Sequence, residues 1–197
     1  MCSKAIHNAK KNKMDYYLTP EPIAKLMIEM TEIKDTDMVL DPSKGKGVFF
    51  DNLPNGGDYC EITEGKDFFD NCNYYDVIIG NPPYSIWDRW ISHTIKICNK
   101  FCYLFGQSSL THNRIQMIHD AGFGATKIHL TKINWWMTQS MIVVFEKGKP
   151  SILTSSPIQK CECGKTCGRG IYGNDPNKCN KSNPKTAKQQ KEDYYIE

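Results

Sequence analysis

Residues 75–84, which read Tyr-Asp-Val-Ile-Ile-Gly-Asn-Pro-Pro-Tyr, constrain the fold more than any other stretch. The β-branched run at 77–79 is too short for a helix and ends at a glycine, which predicts a buried parallel strand. The two prolines at 82–83 then force the chain out of the sheet in a rigid extended turn. We therefore expect Asn81 and Tyr84 at the carboxyl end of a central strand, where open α/β sheets bind ligands.

Asn81, Pro82 and Tyr84 suit a planar ring that bears an amino group. The side-chain oxygen of Asn81 and the backbone carbonyl of Asn81 or Pro82 can accept the two hydrogens of an exocyclic NH₂, while Tyr84 stacks on the ring. These contacts draw the nitrogen lone pair out of conjugation, which makes the nitrogen a better nucleophile. The competing interpretation is a Pro-Pro turn after a core strand, since short motifs match by chance.

Composition narrows the class of protein. A chain of 197 residues with 40% hydrophobic content can bury one sizeable core, so we expect one main domain. The sequence has no long apolar run, and its first residues are polar and lysine-rich. We therefore expect neither a membrane span nor a signal peptide. Nine cysteines, several of them in predicted strands and helices, favour a reducing compartment over a disulfide framework. We expect a cytoplasmic protein.

The charge is distributed unevenly along the chain. The sequence carries four lysines and no acid at 1–14, 13 basic against 17 acidic groups at 15–159, and eight against two at 160–191. A mildly acidic body with basic ends suits a polyanionic partner held by its flanks. The alternative is that lysine-rich ends only keep the protein soluble.

Further motifs precede the strand at 77–79. Thr19 and Pro20 predict a helix N-cap and a first helical residue. After a short strand, residues 41–47 place two glycines at a strand-to-helix turn, where backbone can approach a ligand closely. Glu61 ends the next predicted strand, at a position where an acid commonly takes ribose hydroxyls. Asp67 and the following ring could hold an adenine; taken singly, either acid could equally be a solvated loop residue.

In this order the motifs resemble the S-adenosylmethionine-dependent amino-methyltransferases that act on adenine in DNA, in the gamma arrangement, over residues 15–147. The resemblance implies an α/β, Rossmann-like methyltransferase fold, with a mostly parallel seven-stranded sheet whose last strand is antiparallel. It also implies transfer of the sulfonium methyl group to adenine N6 after the base is rotated out of the duplex. By this resemblance, the cofactor-binding residues are Thr19, Pro20, Asp41, Pro42, Gly45, Gly47, Glu61, Asp67 and Phe68, and the target-base residues are Asn81, Pro82 and Tyr84.

The second half of the chain fits the same plan. Its periodicity predicts two more helices, a strand at 101–105, and a final antiparallel pair at 128–130 and 141–145. In the family, an aromatic residue in the loop before the last strand contacts the extruded base. Trp135 and Trp136 both occupy this loop, and either could be the stacking residue or a core or lid residue.

Three features depart from the family pattern. Lys44 and Lys46 stand in the glycine turn, where the family usually has small residues; they point outward or they weaken cofactor binding. Only five residues separate Glu61 from Asp67, so the helix that normally joins those strands is expected to be missing. No long recognition domain follows Phe145, which leaves the target sequence open.

The segment after the predicted methyltransferase domain is basic and cysteine-rich. We divide the chain into a basic arm at 1–14, a methyltransferase domain at 15–150 and a small Cys-rich segment at 151–197. Four thiolates close in sequence could bind Zn²⁺ and order a segment that has no core of its own, or the segment could be disordered or loosely packed. The candidate zinc ligands are Cys161, Cys163, Cys167 and Cys179.

Several functions remain compatible with the sequence. The leading prediction is an adenine-N6 DNA methyltransferase; the same pocket could act on RNA or on a glutamine amide, because it recognises a planar amino group. A non-catalytic DNA-binding protein that keeps the fold is the alternative from another class, and the two lysines of the glycine turn favour it. A homodimer or a partner subunit could supply target recognition. We expect no membrane partner.

Overall fold

The computed structural model describes residues 17–54, 56–133 and 139–157 of the chain. The chain divides into two units, residues 1–155 and 156–197, and the fold below belongs to the first unit. Three helices and six strands form in its described residues. In chain order they are α1 (Glu21–Thr31), β1 (Val39–Asp41), β2 (Asp58–Tyr59), β3 (Tyr75–Gly80), α2 (Trp87–Ile97), β4 (Cys98–Gly106), α3 (His112–Asp120), β5 (Phe123–Thr131) and β6 (Ser140–Lys147).

The six strands form one mixed sheet in the order β2-β1-β3-β4-β6-β5. β1 pairs in parallel with β2 and with β3, and β3 pairs in parallel with β4. β6 lies antiparallel between β4 and β5. The Rossmann-like α/β fold and the antiparallel last strand are thus confirmed.

The predicted count of seven strands is wrong for the described residues, which contain six. The connection from β2 to β3 explains the difference. It holds only two 3₁₀ turns, Ile62–Glu64 and Phe68–Asp70, because it is too short for a helix, a further strand and their loops. The expected loss of a helix between Glu61 and Asp67 is confirmed.

Helices cover both faces of the sheet, as alternating strand residues require. On one face, α2 and α3 pack over Phe101, Tyr103 and Phe105 of β4. On the other, α1 packs over Cys102 and Leu104 of the same strand. The five side chains just named are fully buried, which makes β4 the centre of the core.

Two local predictions are wrong. Pro20, not Thr19, is the N-cap of α1, with an extended backbone at ψ 140° and no side-chain hydrogen bond to the helix start. Proline fixes φ near the helical value while its own position stays outside the helix. The glycine turn leads into a single 3₁₀ turn, Phe50–Asn52, instead of an α-helix.

Three cysteines of the described residues, Cys60, Cys98 and Cys102, are free and buried, whereas Cys72 is disulfide-bonded. Burial raises the pKa of the Cys102 thiol to about 12, so this thiol stays protonated and behaves as a small apolar side chain. Among the helices of the described part, none is long and apolar enough to cross a membrane.

Candidate functional site

The carboxyl ends of β1 and β3 lie side by side, and the strand order reverses between them because β2 lies on the far side of β1. Open α/β sheets form their ligand crevice at such a point. Asp41 closes β1 and Gly80 closes β3. A Cβ atom on Gly80 would lie 3.1 Å from the Pro42 ring, so glycine lets the two strand ends approach each other.

Asp41 is fully buried at the end of β1. Its Oδ1 accepts a hydrogen bond from the Ser43 backbone amide at 3.1 Å, and Oδ2 has no partner among the described residues. Burial raises the pKa of Asp41 to about 7, opposed in part by the backbone amides of Ser43 and Phe50. The carboxyl group therefore holds the start of the glycine turn through Ser43. Its ionisation is disfavoured, because the charged form is buried away from water.

The two glycines of the turn have left-handed backbone conformations, with φ +55° at Gly45 and +88° at Gly47. A Cβ on Gly47 would lie 2.8 Å from an oxygen of the Asp51 carboxylate, whereas a Cβ on Gly45 would meet nothing closer than 3.9 Å. Gly45 therefore presents bare backbone to the open space beside it, which suits close approach of a ligand.

The Glu61 carboxylate ties the end of β2 to this turn. Its Oε2 accepts from the Gly45 amide at 2.9 Å. Its Oε1 accepts from the Thr63 amide at 3.0 Å and from the Thr63 hydroxyl at 2.6 Å. The carboxylate is thus oriented before any ligand binds, and each oxygen has further acceptor capacity.

The lysines of the turn differ in where they point. The Lys44 ammonium lies 3.3 Å from Glu64 Oε1 and 4.0 Å from the centroid of the Tyr59 ring. Lys66 covers the same ring at 3.7 Å. Lys44, Lys46 and Lys66 all line the cavity described below. The Lys44 charge is paired with the Glu64 carboxylate, which does not line it, whereas Lys46 is exposed.

Asp67 caps the 3₁₀ turn Phe68–Asp70, with Oδ1 accepting from the Phe69 amide at 3.0 Å. Phe68 is 2% exposed and packs against Trp90 of α2, with ring centroids 4.4 Å apart. His93, one turn later on α2, holds the end of this loop through a 3.0 Å contact of its Nε2 with the Asn71 carbonyl. Helix α2 thus supports the loop that carries Asp67.

The Asn81 amide makes contacts at both of its polar atoms. Its Nδ2 donates to the Tyr17 carbonyl at 3.3 Å, and its Oδ1 accepts from the Tyr84 hydroxyl at 3.2 Å. The Ser43 hydroxyl donates to the Asn81 backbone carbonyl at 3.3 Å, which links the glycine turn to the Asn-Pro-Pro-Tyr turn. Burial raises the pKa of Tyr84 above its ordinary value, so its hydroxyl remains a proton donor.

These elements enclose a cavity of about 540 Å³, within the roughly 300–1,000 Å³ usual for small-molecule sites. Seven of the predicted residues line it: Thr19, Pro42, Gly45, Glu61, Asp67, Phe68 and Asn81. Five of the predicted residues do not line the cavity: Pro20, Asp41, Gly47, Pro82 and Tyr84. The sequence places Tyr17 in a Tyr-Leu-Thr-Pro element that resembles the family's Tyr/Phe-x-Thr-Pro element, but it assigns no role to Tyr17 or to Ile62. Both line the cavity while remaining 46% and 55% exposed. Their proximity to Thr19 and Glu61 in the sequence was the available signal.

The remaining candidates lie outside the described residues. These are the target-base candidates Trp135 and Trp136 and the zinc candidates Cys161, Cys163, Cys167 and Cys179. Within residues 17–54, 56–133 and 139–157, no group of three or more metal-ligating side chains forms.

Comparison with known proteins adds sequence relatives and structural neighbours. The chain is 34% identical over 95 residues to the type II methyltransferases M.HincII and M.HindII of Haemophilus influenzae, covering 40% of this chain in each case. It spans only about a fifth of the length of these relatives, 19% and 18%. No protein-family profile matches the chain.

Two solved structures share the fold. A protein of Pyrococcus horikoshii described as an RNA methyltransferase superposes with a TM-score of 0.58 and 18% identity, covering 70% of this chain and 90% of that one. The modification subunit of a protein of Vibrio vulnificus YJ016 described as a type I restriction enzyme gives a TM-score of 0.54 and 12% identity, covering 72% and 46%. The chain therefore has the methyltransferase fold, and part of its sequence resembles the two type II methyltransferases.

Proposed function

We propose that this chain transfers a methyl group from S-adenosylmethionine to the N6 amino group of adenine in DNA. The observation that carries the proposal is a single cavity lined by the glycine turn, by Glu61 and by Asn81. The Ser43 hydroxyl joins the two turns directly. A donor site and an acceptor site in one cavity are what group transfer between two bound molecules requires.

The residues present fit S-adenosylmethionine. Gly45 offers open space beside bare backbone, and the Glu61 carboxylate is already oriented for a pair of ribose hydroxyls. Asp67 and the half-exposed Ile62 would hold the adenine of the cofactor, and Thr19 its methionine end. When bound, the cofactor supplies a methyl group on a positively charged sulfur, which is a good leaving group.

The Asn-Pro-Pro-Tyr turn would hold the target base. Asn81 Oδ1 keeps a lone pair beside the Tyr84 hydroxyl and can accept one N6 hydrogen. The Asn81 backbone carbonyl already accepts from Ser43, which favours the Pro82 carbonyl as the second acceptor. A base in a duplex must be rotated out to reach this pocket, at a cost of a few kcal/mol that pocket contacts offset.

The transfer itself needs positioning more than acid or base chemistry. With cofactor and base bound, the N6 lone pair would bond to the methyl carbon while the carbon–sulfur bond breaks, leaving the bonding electrons on sulfur as a neutral thioether. The surplus N6 proton would pass to water. Asn81 would contribute by orienting the amino group.

Three alternatives are outcomes of the same test. RNA or a glutamine amide could supply the amino group, and a protein that binds DNA without turnover would transfer nothing. The Lys44 contact with Glu64 and Tyr59 weakens the last alternative, because the Glu64 carboxylate offsets this charge at the cavity wall. A homodimer or a second subunit that reads the target sequence is part of the proposal, as is a cytoplasmic location.

The test is methyl transfer from labelled S-adenosylmethionine to DNA, RNA and protein in parallel, followed by nucleoside analysis. We expect the label to appear in DNA, as N6-methyldeoxyadenosine. Label confined to RNA or protein would replace the proposed substrate. Cofactor binding without any transfer would support the non-catalytic alternative.

A further inference from the structure

Tyr17 lies beside the Asn-Pro-Pro-Tyr turn although it is 64 positions before Asn81 in the sequence. It precedes α1, outside any helix or strand, and lines the cavity. Its backbone carbonyl accepts a hydrogen bond from Asn81 Nδ2 at 3.3 Å. Its ring meets the Tyr84 ring edge-on, with centroids 5.7 Å apart and an interplanar angle of 87°. Tyr17 therefore contacts two of the residues assigned to the target base.

The carbonyl contact determines which way the Asn81 amide faces. An asparagine amide can be placed with its oxygen and nitrogen exchanged, and only the hydrogen-bond network distinguishes the two. In the exchanged placement, Oδ1 would face the Tyr17 carbonyl, and two acceptors would meet with no proton between them. In the observed placement Nδ2 donates to that carbonyl and Oδ1 faces the Tyr84 hydroxyl.

This orientation matters for the chemistry. An exocyclic amino group needs an acceptor, so only the oxygen end of the amide can bind it. The Tyr84 hydroxyl alone could not fix that end, because a hydroxyl can donate to Oδ1 or accept from Nδ2. Within the described contacts of Asn81, the Tyr17 carbonyl is the group that tolerates one placement only.

We propose that Tyr17 is a positioning residue for the base pocket. Its carbonyl presents the Asn81 amide oxygen as an acceptor, and its ring holds the Tyr84 ring in place. The inference rests on the proposed methyl transfer. It also makes position 81 selective for asparagine over aspartate, because a carboxylate would place an oxygen against the Tyr17 carbonyl.

The first experiment compares Tyr17→Ala with Tyr17→Phe in the full chain. Removing the ring frees the segment and loosens both contacts, so we expect single-turnover methyl transfer by Tyr17→Ala to fall roughly 10- to 100-fold, as small misplacements of reacting groups do. Tyr17→Phe keeps the ring and the carbonyl and should recover most of that loss. The dissociation constant for S-adenosylmethionine should change less than about threefold in both variants.

Tyr74→Ala is the matched control. Tyr74 is 46% exposed, as Tyr17 is, but its hydroxyl bonds the Cys98 carbonyl and the Asn99 side chain at the opposite end of the strands. This variant should transfer methyl groups at the wild-type rate. A loss in Tyr74→Ala as large as in Tyr17→Ala would attribute both to general destabilisation and overturn the inference.

The second experiment tests whether Tyr17 acts through Asn81. In an Asn81→Ala background, Tyr17→Ala should cause less than about a twofold further loss, because residues that act as a unit are not additive. Asn81→Asp should also lose at least about tenfold. Additive losses in the double variant, or wild-type turnover by Asn81→Asp, would overturn the inference. A wild-type protein that methylates no nucleic acid would instead overturn the proposed function, and the inference with it.

Discussion

The polar groups around Asn81 are already paired before any substrate binds. The amide contacts Tyr17 and Tyr84, and the backbone carbonyl accepts from Ser43. A pocket held in this way loses little conformational freedom when a base enters, which is the usual origin of efficient positioning. Substitutions at Asn81 should therefore affect transfer far more than folding.

Asn81→Ala should leave cofactor binding within about threefold of the wild type and lower methyl transfer at least about 10²-fold, because the lost contacts position the nucleophile. Calorimetry with S-adenosylmethionine and single-turnover transfer measure the two effects separately. Asn99→Ala, on the exposed start of β4, is the control. Near-normal transfer by Asn81→Ala would refute the assigned role.

Asp41 predicts a pH dependence of stability. Because burial raises its pKa to about 7, the folded protein holds a proton on Asp41 that the unfolded chain releases near the ordinary pKa of 3.8. Between these values the folded state binds more protons, so the contribution of Asp41 to stability falls as pH rises, by up to about 1.4 kcal/mol per pH unit. Above about pH 7 it levels off.

The measurement is urea unfolding of the wild type and of Asp41→Asn between pH 5 and pH 8. The amide oxygen of the variant can still accept from the Ser43 backbone, but it cannot ionise. The wild type should lose stability relative to the variant up to about pH 7 and no further. Parallel curves across the whole range would show that Asp41 does not titrate there.

The sequence predicts most of the site at this scale, but not its contacts. Glu61 and Asn81 could be placed just after strands from hydrophobic runs and turn residues alone, and Asp67 in the loop that follows Glu61. The Tyr17 carbonyl contact could not, because a backbone acceptor carries no sequence signal. The direction of Lys44 was equally open, since it depends on Glu64 and Tyr59 meeting it after folding.

At the scale of elements, β4 and β6 contribute buried side chains to the core on both faces of the sheet. Phe101 and Phe145 are register partners on this antiparallel pair, and their rings stack with centroids 4.8 Å apart. Short, continuous apolar runs at 101–105 and 141–145 predicted these strands from the sequence. The 3₁₀ turns that follow β1 and β2 were harder to predict, because turns of three residues have no apolar periodicity of their own.

Phe145→Ala should lower the free energy of unfolding by about 3–5 kcal/mol, since it leaves a cavity in a fully buried part of the core. Leu130→Ala on β5 is the control, because Leu130 is 63% exposed and its loss should stay within about 0.5 kcal/mol. Urea unfolding of both variants gives the comparison, and Phe145→Leu serves if the alanine variant does not fold. Equal losses at the two positions would contradict the assignment of the core.

At the scale of the whole molecule, the net basic segments and the residues of the candidate site lie in different parts of the sequence. Residues 15–159 carry 13 basic and 17 acidic groups, whereas 1–14 and 160–191 are basic. The body that holds the cavity thus has little net attraction for a polyanion. Any DNA affinity of the proposed enzyme should depend on its basic ends.

Replacing Lys181, Lys185, Lys188 and Lys191 with glutamine should therefore weaken DNA binding and flatten its salt dependence. Each phosphate contact that is lost lowers the slope of log K against log salt by about 0.9 for duplex DNA, because fewer counterions are released. Binding of labelled duplex at several salt concentrations measures this slope, and S-adenosylmethionine affinity should not change.

Lys25→Gln in the acidic body is the control, since Lys25 pairs with Glu21 at 2.7 Å on the exposed side of α1. Its slope should match that of the wild type. If the tail variant keeps the full slope while Lys25→Gln loses part of it, the DNA contacts lie on the folded body. The basic ends would then serve solubility alone, as the alternative interpretation of the charge pattern holds.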